Sequence, residues 1–244
     1  MVVVALLIVA SVVVEKSSTF KHQQAVTAKV GGSPGWPTPT WESDHKPLGL
    51  GPYHLNGGKN TVPVHGQVEV PGVDTTLPFV TYRSHTSQTQ EGWTSRTTRT
   101  WTYTSIAIPA LNSAIADMEV VSTAHTTAGD PVWKPMWEGI SFADQLFPTG
   151  AGQFGEFYTV YSPRHRDVAA ILTDRVRGSM LQLYKYGAAP RIRIKGGVLF
   201  AWVHQPHGTE TRNTDQFQNL LSAAAILVFW LNAAAARPVD AGGR

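Results

Sequence analysis

Residues 97–108 read TTRTWTYTSIAI, and the alternation is strict. Thr98, Thr100, Thr102, Thr104, Ile106 and Ile108 share one face; Arg99, Trp101, Tyr103, Ser105 and Ala107 share the other. Side chains of an extended strand point to opposite sides in turn, so a period of two specifies a strand with two unlike faces. Such a strand needs partners. Further β-prone runs bounded by Gly, Pro and Asp occupy residues 61–70, 78–83, 119–127 and 156–161, with the alternating run itself reaching back to Thr94. RIRIKGGVLFAWV reads as two short strands bent around Gly196-Gly197. The expectation is a mainly antiparallel, β-rich domain.

Composition agrees with that domain. Hydrophobic residues make up 42% of the 244, enough for a real core. Charged residues are only 15% against about 25% in ordinary soluble proteins, and Thr, Ser, Gly, Pro and Trp fill the gap. That balance suits an extracytoplasmic, loop-rich exterior better than a cytosolic helical enzyme. A net charge of +3 is too mild to argue for nucleic acid as a partner. The complete absence of cysteine excludes a disulfide framework, a thiolate metal site and a cysteine nucleophile.

The amino terminus is of another kind. Residues 2–14 are apolar except for Ser11. As a helix this run spans about 20 Å, short of a hydrocarbon core near 30 Å. A cleaved signal fits poorly, since only Met1 precedes the run and the first suitable small-residue site is Val26-Thr27-Ala28. A buried strand is the plainer alternative. The adjoining segment favours a continuing helix: residues 15–30 contain no Gly or Pro and remain half apolar, until Gly31-Gly32-Ser33-Pro34 stops them. One rod of roughly 44 Å results, apolar in front and amphipathic behind.

MVVVALLIVASVVVEK followed by FKHQQAVTAK resembles the amino-terminal stem of the tight-adherence (Tad) pilus minor pseudopilins and their relatives. In that family an apolar stretch ends in an acidic residue, where Glu15 falls here. A Gln/Ala-rich amphipathic continuation comes next, where Gln23-Gln24-Ala25 falls. The resemblance covers about thirty residues. It implies a stem seated in membrane or filament core through Val3, Leu6, Leu7, Val13 and Glu15, with other subunits of a surface assembly as partners.

The rest divides into a Pro/Gly-rich neck at 31–60 and a head at 61–244. Trp36, Trp41 and Tyr53 are interleaved in the neck, where isolated aromatics tack an arm onto a domain surface. One amphipathic helix is well marked. Ser162 is placed to cap it, Pro163 sits at its first position, Gly187 ends it, and Val168, Ile171, Leu172, Val176, Met180, Leu183 and Tyr184 form one stripe. Residues 220–236 carry only Ser222 and Asn232 as polar members, which reads as an apolar core or interface helix, with a second membrane span as the alternative.

Candidate chemistry is sparse. Gly150, Gly152 and Gly155 match a dinucleotide fingerprint by letter, but Pro148 precedes them and a β-prone run comes after, so a glycine-rich loop is the expectation. His204 and His207 are separated by Pro206, which keeps the pair off a helix face, so exposed loop histidines are the expectation. Arg191, Arg193 and Lys195 alternate with Ile192 and Ile194, reading as a solvated basic strand face; Arg164, Arg166, Arg175 and Arg177 lie on the helix before it. HExxH does not occur. The expectation is therefore an α+β protein without catalysis, cofactor or nucleic-acid partner. A long N-terminal hydrophobic helix precedes a β-rich head with one packed amphipathic helix, and the role is structural at a membrane or cell surface. Two other readings stand beside it: a surface module binding glycan or protein through Trp101 and Tyr103, and a viral coat-type β domain.

Overall fold

The computed structural model describes residues 24, 27, 30–41, 44, 63–91, 96–122, 145–146, 153–186, 188–205 and 214–236, with backbone only for 83–91, 96–104, 186, 188–190, 203–205 and 214–216. The strands in chain order are β1 (Ser33–Pro34), β2 (Val64–Glu69), β3 (Thr76–Glu91), β4 (Arg96–Ile108), β5 (Met118–Ser122), β6 (Tyr158–Tyr161), β7 (Ala188–Lys195) and β8 (Val198–Gln205). They form a single eight-stranded sheet in the order β1-β2-β3-β4-β8-β7-β5-β6, antiparallel at every contact. Among the described residues the helices with defined bounds are α1 (Gln153–Phe157), α2 (His165–Ile171), α3 (Asp174–Tyr186) and α4 (Thr214–Ala235). The coarse expectation of an α+β, β-rich, antiparallel domain holds.

Several boundaries differ from the sequence reading, each for a physical reason. β3 begins at Thr76 and runs on to Glu91 instead of ending at Arg83, because its distal half is polar at every position and shows no hydrophobic alternation. Glu156 lies in α1, so the next strand starts only at Tyr158. The helix expected from Pro163 onward is two helices. Leu172 leaves helical geometry with ψ 54, and Thr173 restarts the chain as a new cap, its Oγ1 accepting from the Val176 N–H at 3.4 Å. Ser162 is not the cap of α2. Its Oγ donates to the Asp117 carbonyl at 2.6 Å and accepts from the Arg164 N–H at 3.1 Å, tying the strand exit to the neighbouring loop.

The stripe itself behaves as the spacing dictates. Val168, Ile171, Leu172, Val176, Met180 and Leu183 are all buried, packed with the sheet in one large apolar cluster. α4 joins the same layer, lying against α3, β2 and β4. Its stretch Phe217–Ala235 is long and apolar enough to cross a membrane, yet half of it is buried inside the domain. Asn232 near its end donates from Nδ2 to the Ala110 carbonyl and accepts the Asn112 N–H through Oδ1, both at 2.8 Å. A polar residue in an apolar helix here fastens the helix to a loop.

The hairpin predicted at Gly196-Gly197 forms between β7 and β8, with both glycines at positive φ (57 and 79) as a two-residue turn requires. Leu111 donates its N–H to the Gly197 carbonyl at 2.9 Å, so the turn is held from outside.

Of the stem, Val3, Leu6, Leu7, Val13 and Glu15 lie outside the described residues. Gln24, Thr27 and Val30 are helical. Gly31, at φ 67, donates to the Thr27 carbonyl at 3.1 Å, the left-handed cap that stops a helix. Val30 packs against the main core, so this helical end is seated on the head. Beyond it the neck contributes β1, and Trp36 and Trp41 stack at 5.0 Å with Trp41 buried. Tyr53, Gly150, Gly152, Gly187 and His207 lie outside the described residues.

Candidate functional site

The two faces of the sheet are chemically unlike. On the helix-covered face one cross-strand row runs Val64, Thr81, Ile106, Ala201, Ile192, Val120, Val160. All are buried, and the one polar member, Thr81, donates its hydroxyl to the Ser105 carbonyl at 2.9 Å. On the second face the adjacent row crosses all eight strands: Ser33, His65, Val80, Ala107, Phe200, Arg193, Glu119, Tyr161. Beside it run Tyr82, Ser105, Trp202, Arg191 and Val121. From Val80 to Tyr161 this face also is buried, but it holds charge; at the β1 end Ser33 is exposed and His65 half-buried.

Glu119 is fully buried, and Arg191 and Arg193 are only 3% and 2% exposed. Arg191 donates through Nε and Nη2 to Glu119 Oε1, and Arg193 Nη2 reaches the same oxygen at 3.5 Å. Glu119 Oε2 is buried and accepts no hydrogen bond among the described residues. Arg193 also lies over the Trp202 ring, 5.5 Å from its centre, and Trp202 stacks with Phe200 at 5.8 Å. Among the described residues both guanidinium groups share this one carboxylate. Burial pushes the Arg193 guanidinium below its ordinary value while Glu119 pulls it back up. Tyr161, at the far end of the row, has its phenol raised, first by burial, with Arg191 opposing and Glu119 adding.

The expectation for Arg191 and Arg193 was a solvated basic face, and that is corrected here. Their alternation with Ile192 and Ile194 is real, but both faces of β7 are covered. What sequence reading missed is Glu119. It stands directly opposite Arg193 across the β5–β7 ladder, and only the register reveals the pair. A carboxylate inside the apolar strand MEVVS was the available signal.

At the β1 end the neck lies over this face. Trp36 packs on Tyr82 at 5.6 Å, and His65 Nδ1 sits 3.0 Å from the Gly35 carbonyl oxygen. The helix arginines are engaged singly: Arg164 with Asp167 and Arg177 with Asp174, each at 2.6 Å, and Arg175 over Trp230 at 4.4 Å. Trp101 stands opposite Thr86, and Tyr103 opposite Ser84 and His204; among the described residues no three His, Asp or Glu side chains form a group that could hold a metal ion. A groove of about 650 Å³ lies between the β2–β3 turn and α4, bordered by Val30, Glu69, Asp74, Thr75, Gln218 and Ser222.

Chemically, the Glu119 cluster is a lock. Guanidinium groups stay protonated at neutral pH, and the engaged carboxylate oxygen already serves both arginines. A register slip of one residue would strand all three charges, so the cluster specifies how β5 pairs with β7.

Comparison with known proteins finds no matching family model, no similar curated protein and no similar solved structure.

Proposed function

We propose that this protein is a non-catalytic assembly component of a pilus-like or other cell-surface apparatus. Residues 1–30 form the membrane or filament stem and the sheet domain serves as the extracytoplasmic head. The observation that carries the reading is the strand lengths around β3 and β4. β2 accompanies β3 only as far as Thr81, and β8 accompanies β4 only as far as Thr102. The hairpin continues as a two-stranded ribbon, pairing Thr86 with Trp101 through to Glu91 with Arg96. Six pairs extend it roughly 20 Å past its neighbours. An isolated ribbon is marginal in water and exposes backbone donors and acceptors that pair with other chains. The capped helix end at Gly31, seated on the head through Val30, supports a stem joined to the domain without slack.

A binding-module reading has one observation in its favour: Trp101 lies in the ribbon and Tyr103 at its root, two positions apart in β4. Fractionation separates the readings. The full chain should partition with membranes and run above monomer mass in mild detergent, whereas a variant lacking residues 1–30 should be soluble and melt cooperatively. A full chain recovered as a soluble monomer would sink the assembly reading and promote the binding module.

A further inference from the structure

The sheet treats its edges differently. β1, at one end, is two residues long and contains Pro34; β6, at the other, is four residues long and is bridged at Tyr161 by Gln145. Short strands and proline are the usual means of blunting an edge against unwanted pairing. The ribbon carries neither device. Along β3 the positions beyond β2, residues 82–91, read YRSHTSQTQE; along β4 those beyond β8, residues 96–101, read RTTRTW. Neither stretch contains proline or glycine, and among the described residues no strand pairs with either edge.

The charges on these edges discriminate between partners. The β4 edge holds Arg96 and Arg99 and no acid, so two copies of it repel. The β3 edge holds one cation, Arg83, and one acid, Glu91, each four residues from Ser87. Antiparallel pairing of two β3 edges about a two-fold axis at Ser87 therefore sets Arg83 opposite the partner copy's Glu91 at both ends. The same register places Ser84 opposite Gln90, His85 opposite Thr89 and Thr86 opposite Gln88. The space also fits: the partner strand ends at Glu91 opposite Arg83, two positions after β2 leaves β3 at Thr81. Glu91 already stands opposite Arg96 within its own ribbon, so each acid would lie between two cations.

We infer that two copies of this chain associate through β3, residues 83–91, as an isologous antiparallel pair centred on Ser87, merging two ribbons into a four-stranded sheet. The inference rests on the assembly reading above and names its partner: a second copy. Symmetric pairing of this kind closes, giving a dimer as the unit from which an apparatus is built. The pairing is polar throughout and small, so it belongs to a concentrated, tethered protein more than to a dilute one.

The chain has no cysteine, which makes the test clean. Full-length Ser87→Cys, in detergent under mild oxidation, should form a disulfide-linked dimer, since opposed strand residues fall within disulfide reach. Thr100→Cys, the residue opposite Ser87 in its own ribbon, should not. In the Ser87→Cys background, Arg83→Glu should slow cross-linking by about tenfold or more, as both end pairs become like-charged. Arg83 stands opposite Thr104 in its own ribbon, a residue without charge. Adding Glu91→Arg should restore the rate. Near-UV circular dichroism would confirm that each variant keeps its head packing. Equal cross-linking of Ser87→Cys and Thr100→Cys, or no rescue by the double reversal, overturns the inference. If the chain still sediments with membranes as a multimer, the assembly reading survives that failure. Rapid Ser87 cross-linking in a chain that never reaches the membrane leaves the pairing standing and removes the surface apparatus.

Discussion

One sheet carries two buried faces built on opposite principles. The helix face closes with Ile106, Ile192, Val120 and Val160 under the stripes of α3 and α4, and its energy is the removal of apolar area from water. The second face closes over Glu119, Arg191 and Arg193 with Tyr82, Phe200 and Trp202 beside them. A buried ion pair recovers little more than its own desolvation, so this face contributes specificity more than stability. The difference teaches where each face is fragile. Shape errors are tolerated in proportion to volume on the first; loss of a single partner is not tolerated on the second.

The largest effect should come from Glu119→Ala. It removes the buried carboxylate that both guanidiniums share, which costs about 3–5 kcal/mol and should register as a large fall in the urea midpoint. Replacing all three residues together, Glu119→Met with Arg191→Leu and Arg193→Met, should recover most of that loss. If the triple variant is as unstable as the single one, the second face is held by packing and the comparison fails. Next comes Leu183→Ala on the helix face. Leu183 is fully buried, so the truncation should cost about 2–5 kcal/mol depending on how far α3 and α4 relax into the void. Leu172→Ala, at the break between α2 and α3, should fall at the lower end of that range, because the chain there is already irregular. A loss below half a kilocalorie at either position would mean that the stripe is not a core.

These two faces were not equally legible in the sequence. Apolar positions at a period of 3.6 located the α2–α3 stripe, and alternation around two glycines located the β7–β8 hairpin. Both are local signals, recorded within a dozen or so residues. The break at Leu172–Thr173 was also local but hidden, since Thr173-Asp174 is a cap signal inside a stripe that continues in phase. The charged face was hidden for a different reason. Arg193 and Glu119 are 74 residues apart and meet only through register, and nothing in RIRIK by itself says whether its basic side is wet or dry. Half of the ribbon escaped: alternation marks β4 back to Thr94, but the distal half of β3 has no apolar face, so no hydrophobic period marks its length.

Tyr158 offers a smaller effect with a pH signature. Its ring is buried on the helix face and its hydroxyl donates to the Met180 carbonyl at 2.9 Å. Burial, with Tyr184 adding to it, raises the phenol well above its ordinary value. The unfolded chain then releases this proton near pH 10 while the folded chain holds it. Stability from this group is thus complete below about pH 10 and declines as pH rises further. Tyr158→Phe should cost about 1 kcal/mol at neutral pH, for the lost hydrogen bond, and should flatten the alkaline decline measured by thermal melts between pH 9 and 11. An unchanged alkaline slope would mean that another group, such as Tyr161, governs it.

The smallest effect tests the comparison most directly, because it uses the same chemistry in the opposite setting. Arg164 and Asp167 form an ion pair at 2.6 Å, a direct contact like that of Arg191 with Glu119, but they are 58% and 52% exposed. In water both charges stay solvated when the pair is broken, so neither partner is stranded and the gain from pairing is largely offset by ordering two side chains. Asp167 also lies in the first turn of α2, where a negative charge interacts favourably with the helix dipole. Asp167→Asn should therefore cost about half a kilocalorie or less, and added salt should shrink that further. The contrast with Glu119→Ala is then close to tenfold in free energy for one carboxylate against one or two guanidiniums. Were Asp167→Asn to cost more than about 1.5 kcal/mol, distance would outrank burial in this molecule. The second face would then owe its importance to geometry and not to the water it excludes.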